Sequence, residues 1–413
     1  METSAPVTGT TPTPNPIAEQ AITDFFESAA RRQGPWDAYR RLREQAPIYY
    51  SLERGMWFLS GYRANEALLL SPSAELQLTR RMDAIHPEWR DHPSIAKLER
   101  YIAFVDGDEH RKQRLPLNPS WTPRRMEALR PAIRAHAEQL VDDFVRAGGG
   151  SFPDRLAYPL AEHTLCSVFQ FDASKLPNAR ELVNTMQLAF EIDVTPEQLA
   201  AADEASEVFK QFWREEYERI ARDNPDNDIF AAQFKDPRFT LEDIAILAEA
   251  LFSGGFDSTA LTMTTGLAIL LEQPGELARA RRHPELLDGL PDEFLRMTAT
   301  IPMTIRVAAA DIDLEGHRIA VGELIGVMLG AANRDPSVFE SPDRLILDRP
   351  KVRNLGLSHG AHACLGRSLA KIEMYEMFRA LLAKTNHIEQ VGDAVHRSRQ
   401  SVRGVEKLDL KVW

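Results

Sequence analysis

Apolar and polar positions along this chain follow two periods, and these periods predict where helices and strands lie. Residues 122–271 are mostly helical in spacing, with apolar side chains three and four positions apart over 127–145. Shorter segments near both ends of the chain alternate at every second position, which is typical of strands. The pattern therefore predicts a mainly α-helical fold with small β-sheets.

The longest apolar stretch, residues 244–271, predicts a single helix roughly 45 Å long. Thr240, with an acidic residue three positions later, resembles a helix cap at its start. The stretch is long enough to cross a bilayer. Because Glu249, Asp257 and two adjacent glycines interrupt it, we interpret it as the central helix of a large soluble protein rather than as a membrane span.

Strands are predicted in three places by alternation and by turn residues. Hairpins are expected over 47–59 and 311–321, and alternating strands over 402–413. A loop over 333–360 is followed by a predicted helix over 365–382. The small sheets should therefore lie at the two ends of a helical chain.

Composition narrows the functional classes. The 413 residues carry a formal net charge of −12, which argues against a nucleic-acid binder. Cys166 and Cys364 do not resemble a disulfide framework, so a cytoplasmic location is expected. Residues 1–17, rich in Thr and Pro, predict a flexible tail without the features of a secretory signal. No composition change or flexible linker divides residues 18–413, which are predicted to form one domain.

The strongest chemical signal is the glycine-punctuated segment from Leu357 to Gly366, which delivers Cys364 to the start of a helix. Backbone N–H groups and the positive end of the helix dipole favour a thiolate there, and a thiolate is a ligand that donates electron density to haem iron. Three other interpretations stay open at this point. Cys364 is also compatible with a buried core thiol, with a zinc site shared with His359 and His362, and with a nucleophile activated by His362.

This segment resembles the cysteine-ligand loop of the cytochrome P450 superfamily, whose pattern is Phe-x-x-Gly-x-x-x-Cys-x-Gly. Gly360, Cys364 and Gly366 match that pattern, and Leu357 stands where the family has Phe. The resemblance implies that Cys364 is the axial ligand of the iron, that haem b is the cofactor, and that Leu357 and Gly366 contact it. Cys166, in contrast, is expected to be a core residue.

The segment from Glu293 to Arg296 matches the Glu-x-x-Arg motif of the same family. Residues three apart share one helix face and can form an ion pair, although an isolated surface pair of this kind contributes little to stability. The resemblance implies that Glu293 and Arg296 form a buried triad with Arg344. This triad would brace the cysteine loop rather than take part in chemistry.

Residues 254–259, Gly-Gly-Phe-Asp-Ser-Thr, resemble the oxygen-activation motif of the family. An acid in an apolar stretch is costly unless it is solvated or paired. The resemblance implies that Gly255 lies at the cofactor and that Asp257 and Ser258 relay protons. The family usually has Thr where this chain has Ser258. Thr259 is a partial substitute, although it points about 100° further round the helix.

Four basic or donor residues match positions that bind the haem propionates in the family. His110 and Arg114 are four residues apart and therefore share one helix face. Arg306 matches a third position, and His362, two residues before the cysteine, matches a fourth. Without the other motifs, these residues would be interpreted as a solvated charged face.

The resemblance implies a cytochrome P450 fold with haem between the long helix and the cysteine loop. It implies a monooxygenase that inserts one oxygen atom of O2 into a small organic substrate, in specialised metabolism. A ferredoxin and a ferredoxin reductase would supply electrons, and neither nucleic acid nor a membrane is an expected partner. Two alternatives stay open, namely a family oxidase that couples rings or cleaves bonds without oxygen transfer, and a haem-binding sensor without turnover.

For the substrate pocket, the resemblance indicates three separated regions of the chain. The residues predicted to line it are Trp89, Phe256, Met303 and Thr304. Arg80 and Arg81 belong to the first region and are candidates for binding an acidic group. A solvated surface position is the expectation for both arginines.

Overall fold

The computed structural model of the protein describes residues 14–27, 34–172, 175–176, 178–191, 194–223, 226, 229–350 and 353–413. The helices, in chain order, are α1 (Pro16–Phe26), α2 (Trp36–Gln45), α3 (Tyr62–Leu70), α4 (Leu78–Ile85), α5 (Pro93–Ala96), α6 (Gly107–Leu117), α7 (Pro123–Arg146), α8 (Tyr158–Phe169), α9 (Ala179–Met186), α10 (Pro196–Asp223), α11 (Ala231–Phe234), α12 (Leu241–Leu271), α13 (Pro274–Arg282), α14 (Leu290–Thr298), α15 (Leu329–Ala332) and α16 (Arg367–Lys384). The strands are β1 (Ile48–Ser51), β2 (Met56–Leu59), β3 (Ala74–Glu75), β4 (Gly149–Ser151), β5 (Thr304–Ala308), β6 (Ile312–Leu314), β7 (His317–Ile319), β8 (Leu324–Val327), β9 (Ile388–His396) and β10 (Val405–Val412). The predicted mainly helical architecture is confirmed.

The predicted bounds of the N-terminal tail overlap the first helix. Residues 1–13 lie outside the described residues, and α1 already begins at Pro16. The Asn15 side chain accepts hydrogen bonds from the N–H groups of Ile17 and Ala18 at 3.0 and 3.1 Å. Asn as the cap and Pro at the first position form a helix start, so residues 16–17 belong to α1 rather than to a tail.

The strands form small sheets, as the alternation predicts. The described strands pair in the orders β1-β2-β8-β5-β3, β4-β10-β9 and β6-β7. Both predicted hairpins are present, with Ile48 opposite Leu59 in the first and Ile312 opposite Ile319 in the second. The predicted C-terminal strand is β10, which pairs antiparallel with both β9 and β4.

Helix α12 is the long central helix that the apolar stretch predicts. The Asp243 N–H donates to Thr240 Oγ1 at 3.1 Å, and the Thr240 N–H donates back to the Asp243 carboxylate at 2.8 Å. This capping box starts the helix at Leu241. Helix α12 is long and apolar enough to cross a membrane, but 72% of its most apolar window is buried inside the protein. It is therefore a core helix of this fold.

The main hydrophobic core surrounds α12, which contacts α8, α10, α14 and β10. Gly266 allows a close approach of α14, because a Cβ at this position would overlap the ring of Phe294. A second cluster joins Leu78, Met82 and Trp89 to Ile246 of α12. This second cluster covers the N-terminal half of α12 on the side of α4.

Candidate active site

The cysteine loop is a compact turn between the loop after α15 and helix α16. The Cys364 N–H donates to the Leu357 carbonyl at 2.9 Å, and the Ala363 N–H donates to the Gly360 carbonyl at 3.1 Å. Gly360 adopts a positive φ of 71°, and a Cβ there would overlap the Leu69 carbonyl of α3. Glycine is therefore required at this position, both by the backbone conformation and by the close approach to α3.

Two opposing effects act on the Cys364 thiol. Burial raises its pKa, whereas the Gly366 N–H and the charges of Arg367 and Arg114 lower it, and the net change is upward. The protein alone therefore favours the neutral thiol. A bound metal cation would supply the charge that stabilises the thiolate. The Cys364 side chain nevertheless borders accessible space, so a ligand can reach the sulfur.

Accessible space also lies beside the middle of α12. Gly254 is exposed although its helix runs through the core, and a Cβ built there would meet nothing within 4 Å. The neighbouring glycine behaves differently, because a Cβ at Gly255 would lie 3.1 Å from the Leu165 side chain of α8. Gly254, rather than the predicted Gly255, is therefore the glycine that borders the open side of the helix.

Three of the four predicted propionate-binding residues meet at the cysteine loop. The rings of His110 and His362 lie 4.2 Å apart. His362 Nε2 lies 3.3 Å from Asp106, and Arg114 donates to the Ala363 carbonyl at 2.8 Å. Arg306, the fourth, donates to two neutral oxygens, those of Thr304 and Ile305, at 2.7 and 3.1 Å.

These basic groups fit a partner that carries carboxylates. Burial, with the charges of His362 and Arg114, lowers the pKa of His110 to about 4, and its Nε2 is enclosed without a hydrogen-bond partner. Burial also lowers the pKa of Arg306 to about 10. An enclosed ring nitrogen without a partner, close to the charge of Arg114, is an arrangement that a propionate would satisfy.

Asp257 is buried, and both of its carboxylate oxygens are engaged. Tyr158 donates to Oδ1 at 2.7 Å, and Arg397 donates to Oδ2 and Oδ1 at 2.6 and 3.0 Å. No local pattern in the sequence indicates Arg397 as the partner, since it lies 140 residues away. The only signal was indirect, namely that a buried acid requires a partner.

The two hydroxyl residues that follow Asp257 differ in accessibility. Ser258 is partly accessible and donates from Oγ to the Gly254 carbonyl at 2.7 Å, one turn earlier. Thr259 is buried. Ser258 is therefore the hydroxyl on the open side of α12.

The predicted triad exists with a different third member. Arg296 donates to both oxygens of Glu293 at 2.7 and 2.9 Å, deep in the protein. Arg349, rather than Arg344, places its side chain on Glu293 at 3.0 Å. Arg344 contributes its carbonyl oxygen, which accepts from Arg296 at 2.8 Å. The turn after α15 presents the backbone of Arg344 to the pair, so its side chain is not the third charge.

The triad reaches the cysteine loop through Asn333. Arg296 donates to the Asn333 carbonyl at 3.1 Å, and the Asn333 side chain accepts from the Leu355 N–H at 2.7 Å. Leu355 lies two residues before Leu357, where the cysteine turn begins. The contacts therefore fit a bracing role.

Several predicted pocket residues lie elsewhere. Phe256 is buried in the main core, where its ring stacks 5.4 Å from Phe252, because it lies about 200° round α12 from Gly254. Trp89 is buried in the second cluster, and its indole N–H donates to Asp83 at 2.8 Å. These two residues are packing residues in this structure.

The remaining predicted residues fall into two groups. Met303 is partly buried against a third hydrophobic cluster, which includes side chains of α1, α2 and β2. Thr304 accepts a hydrogen bond from Arg306. Cys166 is a buried free thiol whose pKa is raised to about 12 by burial, which fits the expected core role. Within the part of the chain that the structure describes, no three His, Cys, Asp or Glu side chains are placed to hold a metal ion. His359, His362 and Cys364 therefore do not form the zinc site that was one alternative interpretation of this segment.

Comparison with known proteins agrees with this geometry. A model of the cytochrome P450 family matches residues 178–403. The chain is 27% identical over 372 residues to the biotin biosynthesis cytochrome P450 of Bacillus subtilis (strain 168), covering 88% of this chain and 92% of that protein. It is 26% identical over 389 residues to the 6-deoxyerythronolide B hydroxylase of Saccharopolyspora erythraea, covering 91% and 95%.

Solved structures share the same fold. The crystal structure of P450BioI in complex with an acyl carrier protein ligated to hexadec-9Z-enoic acid superposes with a TM-score of 0.85 at 24% identity. The match covers 94% of this chain and 99% of that one. At this level of identity, the likeness shows a common architecture.

Proposed function

Since this chain belongs to the cytochrome P450 family and is a monooxygenase of that family, we propose that it inserts one oxygen atom of O2 into a small organic substrate with haem b as cofactor. The observation that carries the proposal is the meeting of Cys364 with His110, Arg114 and His362. The fold brings Arg114 to the cysteine loop from 249 residues away. A sulfur ligand beside paired basic groups matches a flat iron cofactor with two carboxylates.

Each part of the site has a defined task in this proposal. Cys364 Sγ would hold the iron, and His110, Arg114, Arg306 and His362 would hold the propionates. Haem, when bound, supplies the iron at which O2 is activated. The hydrogen bond from the Cys364 N–H to the Leu357 carbonyl keeps the loop in one conformation. The sulfur would therefore be positioned before the cofactor binds.

Proton supply is assigned to the open side of α12. The Ser258 hydroxyl is accessible and would hold the proton nearest to the substrate, and Asp257 would replace that proton from the protein interior. Tyr158 and Arg397 engage both Asp257 oxygens. Asp257 can therefore exchange a proton only when one of these contacts opens.

A ferredoxin, itself supplied by a ferredoxin reductase, is the proposed electron donor. Arg353 and Arg367 flank the cysteine loop, and Arg111 and Lys112 extend from α6, which contacts the loop through Arg114. A local basic patch of this kind attracts an acidic protein even when the whole chain is negative.

The surrounding acids weaken this patch without removing it. Lys371, four residues after Arg367, forms an ion pair with Asp292 at 2.7 Å. Arg111 pairs with Asp108 on the exposed surface of α6. Exposed pairs of this type are weak, so Arg111 remains able to contact a partner.

The metabolic setting is also a proposal. The relatives are named for biotin biosynthesis and for hydroxylation of 6-deoxyerythronolide B, which supports a biosynthetic small molecule as substrate and specialised metabolism as context. The two free cysteines support a reducing cytoplasm.

Replacing the cysteine ligand tests the proposed function. Cys364→Ser should abolish the strongly red-shifted Soret band of the reduced carbon-monoxide complex, because an oxygen ligand cannot supply the same electron density. Cys166→Ser is the matched control and should keep that band. An unchanged spectrum in Cys364→Ser would contradict the assignment of the ligand.

A further inference from the structure

Helix α4 places one of its two adjacent arginines on its buried face. Leu78 and Met82 are buried in the second cluster, and Arg81 shares the face of Leu78 because residues three apart are neighbours on a helix. Arg80, one position earlier, is exposed as the sequence predicts. Arg81 therefore does not occupy the expected surface position, and it remains a candidate for binding an acidic group.

Arg81 has no counter-charge within the described part of the chain. Its guanidinium lies 5.3 Å from the centre of the Phe104 ring, and its Nε is enclosed without a hydrogen-bond partner. Burial, together with the nearby Arg306, lowers the pKa of Arg81 to about 10. A buried cation without a partner is unfavourable, so a ligand that supplies the missing charge would gain free energy.

The acidic side chains around this region already have partners. Glu249 of α12 forms an ion pair with Lys97 and accepts from Tyr101. Asp83 accepts from the Trp89 indole at 2.8 Å. Asp106, beside His362, also accepts from the N–H groups of residues 76 and 77 at 2.8 and 3.0 Å. Within the described part of the chain, none of these carboxylates forms an ion pair with Arg81.

The proposed cofactor does not require Arg81 either. Two fixed charges, those of Arg114 and Arg306, match two propionates. The lowered pKa of His110 keeps that ring neutral, as a hydrogen-bonding group, at neutral pH. Arg81 is a third fixed charge beside this site, at the edge of the apolar cluster that reaches α12.

We propose that Arg81 binds a carboxylate of the substrate, and that the substrate is therefore an organic acid with an apolar body. This inference rests on the proposed function, since it names the substrate class of the same site. The planar guanidinium can hold a carboxylate through two parallel hydrogen bonds. The Phe104 ring and the second cluster supply the apolar wall beside it.

Spectroscopic titration with iron-binding probes tests this assignment without knowledge of the natural substrate. The probes are ω-(imidazol-1-yl)alkanoic acids of short, medium and long chains, each compared with the uncharged 1-alkylimidazole of the same chain length. The imidazole of each probe binds the haem iron, and this binding shifts the haem absorption spectrum. In the native enzyme, at least one acid should bind about tenfold more tightly than its uncharged counterpart, the gain expected from one charge-assisted contact.

Two variants identify the residue responsible. Arg81→Gln should remove the preference for the acid, whereas Arg80→Gln, the exposed neighbour, should keep it. If no acid is preferred by the native enzyme, or if Arg81→Gln keeps the preference, the inference is overturned. If Arg81→Gln retains haem less well, while the fraction that still holds haem keeps the preference, Arg81 is instead assigned to a propionate. Failure of the proposed function is distinguishable, because it would appear as a missing thiolate band in the native protein.

Discussion

At the scale of single residues, Asp257 shows how the acid proposed to supply protons is constrained by its neighbours. Its carboxylate is almost fully enclosed, and Arg397 and Tyr158 occupy both oxygens. The charge pair therefore contributes to stability as well as to the proposed proton supply. A substitution here changes both properties at once.

Asp257→Asn should lower the free energy of unfolding by about 3–5 kcal/mol, because Arg397 would remain buried without its counter-charge. Turnover should also fall, since an amide cannot exchange a proton as a carboxylate does. Thermal unfolding and steady-state rates are the measurements. Ser258→Ala is the comparison variant: it should keep thermal stability but divert reducing equivalents from product into peroxide.

Two outcomes would count against these roles. An unaltered melting temperature in Asp257→Asn would mean that the pair with Arg397 is not formed in solution. If Ser258→Ala keeps its yield of product per NADH, a water molecule or Thr259 must hold the proton instead.

Residue identities were predictable where chemistry and local spacing agree, and not where the partner is distant. Glu293 and Arg296 are three apart, so their contact follows from helix geometry. Arg397 lies 140 residues from Asp257, and no local pattern marks it. The resemblance indicates Arg344 as the third member of the triad, and Arg349 lies five residues further along the chain. The backbone turn decides between them, and it selects Arg349.

At the scale of elements, the close packing of α12 against α14 depends on a missing side chain. Gly266 lies in the last third of α12, where the Phe294 ring of α14 fills the space that a Cβ would need. Glycine in a helix interior costs about 1 kcal/mol relative to alanine. Its presence is explained here by helix packing.

Gly266→Ala should therefore destabilise the protein by about 1–3 kcal/mol despite the better helix propensity of alanine, because the ring must move. Gly275→Ala in the first turn of α13 is the matched control. A Cβ at Gly275 meets nothing within 4 Å, so stability should be unchanged or higher by up to about 1 kcal/mol. Denaturant unfolding of both variants measures the difference. Equal effects would contradict the packing explanation.

The sequence predicted the types of the elements and their caps better than it predicted which side of each element a residue faces. The capping box at Thr240 and both hairpins agree with their turn and capping residues. The error at Phe256 concerns orientation: it belongs to the predicted motif but faces the opposite side of α12 from Gly254. When a helix is buried on nearly all sides, membership of a motif alone does not show which side of the helix a residue faces.

At the scale of the whole molecule, charge is distributed unevenly. The net charge is −12, yet Arg114 of α6 and Arg367 of α16 act on the Cys364 thiol, and Arg111 and Lys112 also lie on α6. Long-range attraction to an acidic partner depends on such local patches and is screened by salt.

Reduction by an acidic ferredoxin should therefore slow as ionic strength rises, and Arg111→Glu should slow it several-fold at low salt. Arg214→Glu on α10 is the control, since the two side chains are 61% and 64% exposed and both pair with a carboxylate on their own helix. Stopped-flow reduction of the enzyme gives the rates. Equal rates for the two variants, or no dependence on salt, would argue against docking at this patch.

The bond between Arg397 and Asp257 has a consequence for the order of biosynthesis. Helix α12 and its acid leave the ribosome long before the segment between β9 and β10 that carries Arg397. Until that segment is made, the carboxylate in the centre of the nascent protein has no cation, and β10 cannot join β4. A chain halted after α16 would contain the cysteine loop but lack the partner of Asp257. We therefore expect the native arrangement of this site to form only when synthesis has passed Arg397, so a segment made after the cysteine loop completes the middle of the molecule.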